Sequence, residues 1–259
     1  MAEVIALTGV CVRFGGVQAL DGVSFTVGAG ESLSLIGPNG AGKTTVLNAI
    51  SGFVRPHAGS IVAGGSPPVQ LLRAPAHRRA SLGIARTFQN SRLFGDMRVL
   101  DQVMCGGFGT TRPRPLGTLA RGPRFLRDDE ALRVEALEML EALDLADAWA
   151  RPISALPSGH RKLVDLARAL MSRPRLLMLD EIAAGLSGEE KQRLLAFVDA
   201  RRERDSFALI VIEHDLDFIR AIATRAVVLD HGRPLASGSV DDVLARADVL
   251  QAYVGEAVA

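Results

Sequence analysis

The chain has 259 residues, is 48% hydrophobic and carries a formal net charge of +1. A chain of that length fits one large α/β unit or a core with a smaller subdomain, and needs no disulfide or metal to hold its core. The charge excludes a general attraction to nucleic acid or anionic lipid, no apolar run approaches bilayer-spanning length, and residues 1–7 lack the pattern of a secretory leader, so a cytoplasmic location is expected.

Runs rich in β-branched and aromatic residues come first, at 4–7, 10–14 and 23–27, parted by glycine-containing turns. They predict an antiparallel β layer. A strand is expected at 33–36, a helix from Val46, and a further strand and turn at 59–65. Residues 71–80 read as a short helix or an irregular link, and 99–104 as a helix. Residues 106–127 are rich in Gly, Pro, Thr and Arg with no hydrophobic period, and read as a loop insertion whose five arginines face solvent. Amphipathic helices follow at 128–144 and 161–171. Near-continuous apolar strands at 176–180, 207–212 and 226–230 alternate with helices at 189–204 and 216–223, as in a parallel sheet covered on both faces. Beyond a turn at 231–234 the chain is expected to be mainly helical. Cys11 and Cys105 are isolated and are expected to be small buried hydrophobes, and the five histidines are too scattered for a zinc site.

Between the strand at 33–36 and the helix at Val46 lies Gly37-Pro38-Asn39-Gly40-Ala41-Gly42-Lys43-Thr44-Thr45. Strand, G-x-x-x-x-G-K-[ST], helix is the context of a phosphate-binding loop. Its glycines let successive backbone N–H groups curl round a polyphosphate, and the helix start adds partial positive charge. Lys43 is placed to reach the terminal phosphates, and the Thr44 hydroxyl to ligate Mg²⁺. Asp180-Glu181 ends the strand that starts at Leu176. Strand-end carboxylates face the ligand crevice of an open α/β sheet. Asp180 suits Mg²⁺, usually through water, and Glu181 suits an attacking water.

Taken together these motifs resemble the ATP-binding cassette ATPases over about residues 4–255. The resemblance implies a P-loop NTPase core with a mainly parallel sheet, an N-terminal antiparallel β layer and an inserted α-helical subdomain. It places the core at 1–88 and 173–259 and the helical subdomain at 89–172. It implies ATP and Mg²⁺ as ligands. Gln89, in Thr87-Phe88-Gln89, is similar to the glutamine that touches Mg²⁺ and the attacking water. His214 is similar to the histidine that contacts the γ-phosphate, and Phe14 stands where an aromatic ring stacks on adenine. Leu156-Pro157-Ser158-Gly159-His160 occupies the place of the L-S-G-G-Q signature, which one cassette offers to the ATP of another. Residues 184–187 take the D-loop position.

Two positions depart from the family pattern. Pro157 replaces the signature serine and supplies neither hydroxyl nor N–H, which leaves Ser158, Gly159 and His160 to serve the partner site. Ile182 stands where a proline usually follows the glutamate. Residues 77–89 and 212–218, with the ending Ala252-Tyr253-Val254-Gly255, are similar to the G-type ATPase subunit of branched-chain amino-acid importers. That branch implies two transmembrane permease subunits, an extracytoplasmic solute-binding protein, a peripheral place on the inner membrane face and a second cassette. A different chain is favoured over a copy of this one. Import of urea, amides or other small solutes, and lipid or lipopolysaccharide export, stand as alternatives. A ribosome-acting cassette would carry two cassettes in one chain, and a DNA-repair cassette a coiled coil or zinc hook; neither pattern is present.

Overall fold

The computed structural model describes residues 2–88, 93–109 and 123–254. The strands are β1 (Glu3–Phe14), β2 (Val17–Gly28), β3 (Ser32–Ile36), β4 (Ala58–Ala63), β5 (Val69–Gln70), β6 (Ile84–Arg86), β7 (Leu176–Asp180), β8 (Ala208–Ile212), β9 (Arg225–Asp230) and β10 (Arg233–Ser239). The helices are α1 (Lys43–Ser51), α2 (Ala76–Ser81), α3 (Val99–Met104), α4 (Pro123–Ala142), α5 (Ser158–Met171), α6 (Gly188–Asp205), α7 (Leu216–Ile222), α8 (Val240–Leu244) and α9 (Ala247–Val254). They divide into two compact units, one drawn from Met1–Arg86, Arg175–Glu181 and Arg202–Ala259, the other from Thr87–Pro174 and Ile182–Arg201. Among the described residues no helix is long and apolar enough to cross a membrane.

The first unit holds both sheets. One is antiparallel, in the order β2-β1-β4-β5. The runs at 4–7 and 10–14, expected as separate strands, are one strand. Gly9 adopts φ 58° and the β1–β2 register shifts between Leu7 and Val10, so the chain absorbs an irregularity without leaving the sheet. The other sheet runs β10-β9-β3-β8-β7-β6 and is parallel from β9 through β6. Every residue of β3, β7 and β8 is buried, which is why their sequences are continuous rather than alternating. Strand β10, antiparallel to β9, was not expected. Its sequence contains Pro234 and little hydrophobic alternation; an edge position, where a missing N–H costs no ladder bond, accommodates both. Ile5, Leu7 and Val23 of the antiparallel layer, Val46, Leu47 and Ile50 of α1, and Leu33, Met178 and Ile210 of the other sheet share one core. Each such side chain contributes roughly 1.5–3 kcal/mol on burial.

Helix α1 is finished by a neighbour. Arg79 of α2 is 5% exposed, and its guanidinium donates to the carbonyls of Ala49 (2.6 Å), Ile50, Leu71 (2.9 Å) and Ala74 (3.4 Å). Burial pulls its pKa down from the ordinary arginine value. The last carbonyls of a helix have no partner within it, and here a buried cation supplies one. An added Cβ at Gly52, the C-cap of α1, would sit 2.7 Å from that guanidinium.

The second unit is helical. Leu100 and Val103 of α3, Ala136, Met139 and Leu140 of α4, and Leu163 and Leu166 of α5 are buried. Two helices begin earlier than their sequence pattern suggests: α4 at Pro123 and α5 at Ser158. Pro157, φ −55°, occupies the N-cap of α5, where its missing N–H costs nothing to the helix. Most of the arginine-rich stretch lies outside the described residues. Cys11 and Cys105 are half-buried rather than buried; the Cys11 thiol accepts the Gly22 N–H at 3.2 Å.

The Arg79 contacts generate a prediction. Arg79→Met leaves several buried carbonyls without a donor, and hydrogen bonds to charged groups are worth about 1.5–3 kcal/mol. Urea unfolding is expected to lose about 2–4 kcal/mol, with an unchanged m-value.

Candidate nucleotide site

The loop joining β3 to α1 is folded so tightly that side chains are excluded at two points. An added Cβ at Gly37, φ 145°, would lie 2.0 Å from the Leu229 carbonyl oxygen. At Gly42, φ 99°, it would lie 2.7 Å from the Ala19 oxygen and 2.8 Å from Leu20 Cδ2. The loop is pinned by backbone bonds as well: Ala41 N–H to Pro38 (3.2 Å), Gly232 N–H to Ala41 (3.1 Å) and Asp21 N–H to Gly232 (2.8 Å). Gly42 is the N-cap of α1, and the first turn of α1 carries no acidic residue. The positive end of the helix is therefore left for an anion. Lys43 is 7% exposed, and its ammonium donates to the carbonyls of Gly37 (2.5 Å) and Pro38 (2.8 Å). The ammonium is thus held over the loop that a polyphosphate would enter.

A cleft of about 260 Å³ opens beside this loop, lined by Ala19, residues 39–45, Glu181, Ile212 and His214. Seven of the nine predicted loop residues and both predicted catalytic side chains from the parallel strands, Glu181 and His214, thus meet in one place. Glu181 follows β7 directly, at φ 52°, and its N–H donates to the Ile212 carbonyl at 2.9 Å. A left-handed glutamate is a strained one, and the bond to β8 holds it there. His214 Nε2 lies 3.3 Å from Glu181 Oε1. Ala19 belongs to the lining although no sequence motif marked it; its carbonyl packs against Gly42 of the loop.

Asp180 is 3% exposed at the end of β7 and pairs with Arg86, whose Nη2 donates to Oδ2 at 2.8 Å. The Thr44 hydroxyl and the Asp180 carboxylate are hard oxygen donors of the kind Mg²⁺ takes, so the residues fit that ion. Among the described residues no group of three His, Cys, Asp or Glu is placed to hold a metal ion. Phe14 is 50% exposed at the tip of the β1–β2 hairpin and is not among the cleft residues. Gln89 lies outside the described residues. A larger hollow of about 350 Å³ between Ala2, Glu3, Val62 and Arg175 contains none of the predicted residues and no helix start.

The signature positions lie in the second unit. Ser158 is exposed at the start of α5, and Gly159 is buried. A Cβ at Gly159 would lie 2.9 Å from the Gly185 carbonyl oxygen, so the D-loop position packs directly on this turn. His160 Nε2 is 2.8 Å from Glu190 Oε1, and Lys162 Nζ donates to the Ala184 carbonyl at 3.0 Å. The Ser187 N–H, more than the His160 contact, holds the Glu190 carboxyl below its ordinary range. Ile182 is buried at 1% exposure, so the residue departing from the family's proline serves as packing.

What this cleft is able to do is hold a polyphosphate by its backbone and direct water at the far end of it; the class is that of the phosphate-loop nucleoside triphosphatases. A sequence profile of the ABC transporter family matches residues 20–184, and the chain belongs to that family of ATPases. It is 36% identical to the high-affinity branched-chain amino acid transport ATP-binding protein BraF of Pseudomonas aeruginosa, over 98% of each chain. It is 34% identical to LivG of Escherichia coli, again over 98% of each. A solved ATP-binding cassette of an ABC transporter in its ADP conformation superposes with TM-score 0.81 at 28% identity, over 98% of this chain and 100% of the other. A nucleotide-free cassette gives the same TM-score and identity over 97% and 98%.

The steric exclusion at Gly42 is directly testable. A Cβ at this φ, pressed against the Ala19 carbonyl, costs about 1–3 kcal/mol of loop strain. Gly42→Ala is expected to weaken ATP binding by about 10–100-fold, as read by titration with a fluorescent nucleotide.

Proposed function

We propose that this chain is the ATP-binding and ATP-hydrolysing subunit that energises import of branched-chain or other hydrophobic amino acids through separate membrane permeases. The observation that carries the hydrolytic part is the meeting of Glu181 and His214 beside the Lys43 loop in one cleft. The solute class rests on full-length likeness to BraF and LivG, whose names specify branched-chain amino acid transport. That likeness disfavours urea, amide and lipid-export readings.

In this reading the backbone N–H groups of 39–45 and Lys43 bind the phosphates, and Phe14 stacks on adenine. Glu181 orients and polarises the attacking water. His214 contacts the γ-phosphate, and its Nε2 stands 3.3 Å from Glu181 Oε1. Thr44, Asp180 and Gln89 would hold Mg²⁺, which supplies charge neutralisation at the phosphates when bound. Ser158, Gly159 and His160 would serve the ATP of a second cassette, itself preferably a different chain. ATP favours the closed pair because it binds both cassettes at once, and that differential affinity drives the permeases. Two permeases and an extracytoplasmic binding protein complete the assembly, with this subunit on the cytoplasmic membrane face.

Loss of a general base typically costs 10²–10⁴-fold. Glu181→Gln is expected to lower ATP turnover by about that factor while fluorescent-nucleotide affinity is retained. A variant that hydrolyses ATP at the native rate removes the assigned role. In the assembled complex with a different second cassette, Glu181→Gln in this chain alone should remove most turnover. Its site would use an intact partner signature, whereas the opposite site relies on the one bearing Pro157. Uptake of labelled leucine by vesicles holding the complex tests the solute class.

A further inference from the structure

We infer that Arg86 is a positioning residue for the metal-binding side of the site: it fastens the Asp180 carboxylate to the phosphate-loop helix and so fixes the separation of the two protein groups that take Mg²⁺. The inference rests on the reading of Thr44 and Asp180 as those groups. Three elements of one unit meet at this guanidinium. Arg86 closes β6, which is parallel to β7 with Arg86 opposite Met178. Side chains two apart share a sheet face, so Asp180 lies one step beyond Met178 on the face Arg86 also uses. Arg86 Nη2 donates to Asp180 Oδ2 at 2.8 Å, and Nη1 to Asn48 Oδ1 at 2.7 Å. Asn48 sits on α1, the helix whose first turn carries Thr44. One rigid fork therefore joins the strand end bearing one metal donor to the helix bearing the other.

The environment favours a fixed link over a loose surface pair. The side chains of Arg86 and Asp180 are 6% and 3% exposed, so solvent screens them little. The residue type matters as well. A guanidinium offers several N–H donors in one plane and is able to serve two acceptors on different elements, whereas a lysine ammonium at the same position is a point charge on a flexible stem. Groups that orient a metal ligand without touching the metal commonly change metal affinity by about 10–100-fold when removed.

The test uses the full chain and reads binding rather than turnover. ATP affinity is measured with a fluorescent nucleotide in excess EDTA, and Mn²⁺ affinity of the ATP-bound chain by electron paramagnetic resonance. Arg86→Met is expected to weaken Mn²⁺ by about 10–100-fold with metal-free ATP affinity unchanged. Arg86→Lys should lose most of the same affinity. Asn48→Ala, at a half-buried position whose side-chain oxygen accepts from Arg86, should move Mn²⁺ affinity the same way by less, and it carries the test if the arginine variants do not fold. Native Mn²⁺ affinity in these variants overturns the inference, as does an equal fall in metal-free ATP affinity, which marks a merely structural pair. Asp180→Asn separates the two readings. If it leaves Mn²⁺ affinity intact, the ligand assignment fails and this inference with it. If it lowers Mn²⁺ affinity while Arg86→Met does not, the inference alone fails.

Discussion

The site depends on how closely the phosphate loop approaches its neighbours' backbone. At Gly37 and Gly42 the distance to the carbonyls of Leu229 and Ala19 leaves no room for a Cβ. Those carbonyls belong to β9 and β2, one from each sheet. The loop is therefore shaped by strands far from it in sequence, and the antiparallel layer contributes a wall of the cleft through Ala19. Preorganisation follows: N–H groups that a flexible glycine-rich loop would have to align on binding are already fixed.

The same economy governs the helix that follows. The first turn of α1 has no acidic residue, and its last turn is met by the buried Arg79. A cation at the C-terminal end offsets the negative pole, while the positive pole faces the loop without internal compensation. Arg79 bonds to carbonyls and so adds stability to α1 without placing a carboxylate near the phosphates. Arg86 is used differently, since it is paired with the carboxylate that ends β7.

Much of this was legible in the sequence, and the reasons are local. The loop motif carries its own geometry, because glycine at 37 and 42 and lysine at 43 have few other uses in that order. Buried parallel strands announce themselves as unbroken apolar runs, as β7 and β8 do. What was missed depends on partners distant in sequence. Strand β10 has weak alternation and gains its place from pairing with β9. The early start of α5 is set by Pro157 at the cap, not by periodicity. Arg79 and Arg86 lie in the stretch 77–89 that carries the family likeness, but only the fold reveals that one faces carbonyls and the other Asp180. Conversely, Phe14 was marked by position, yet stands exposed at a hairpin tip outside the cleft lining.

The departure at Pro157 is milder for the fold than the bare substitution implies. A helix leaves its first N–H groups without internal partners, and α5 starts at Ser158. The N–H groups of Ser158, Gly159 and His160 thus remain at the helix start, with the Ser158 hydroxyl exposed beside them; what proline removes is one hydroxyl and one N–H at the cap itself. The turn is also anchored from behind. Glu190 and Ser187 form a reciprocal cap on α6, with Oε2 accepting the Ser187 N–H at 2.7 Å and Oγ accepting the Glu190 N–H at 3.3 Å. The remaining oxygen of Glu190 takes His160. Gly159 packing on Gly185 and Lys162 bonding to Ala184 add two more ties. Signature and D-loop positions are thereby held as one piece, so a change in the identity of one signature residue alters the chemistry of that surface far more than its position.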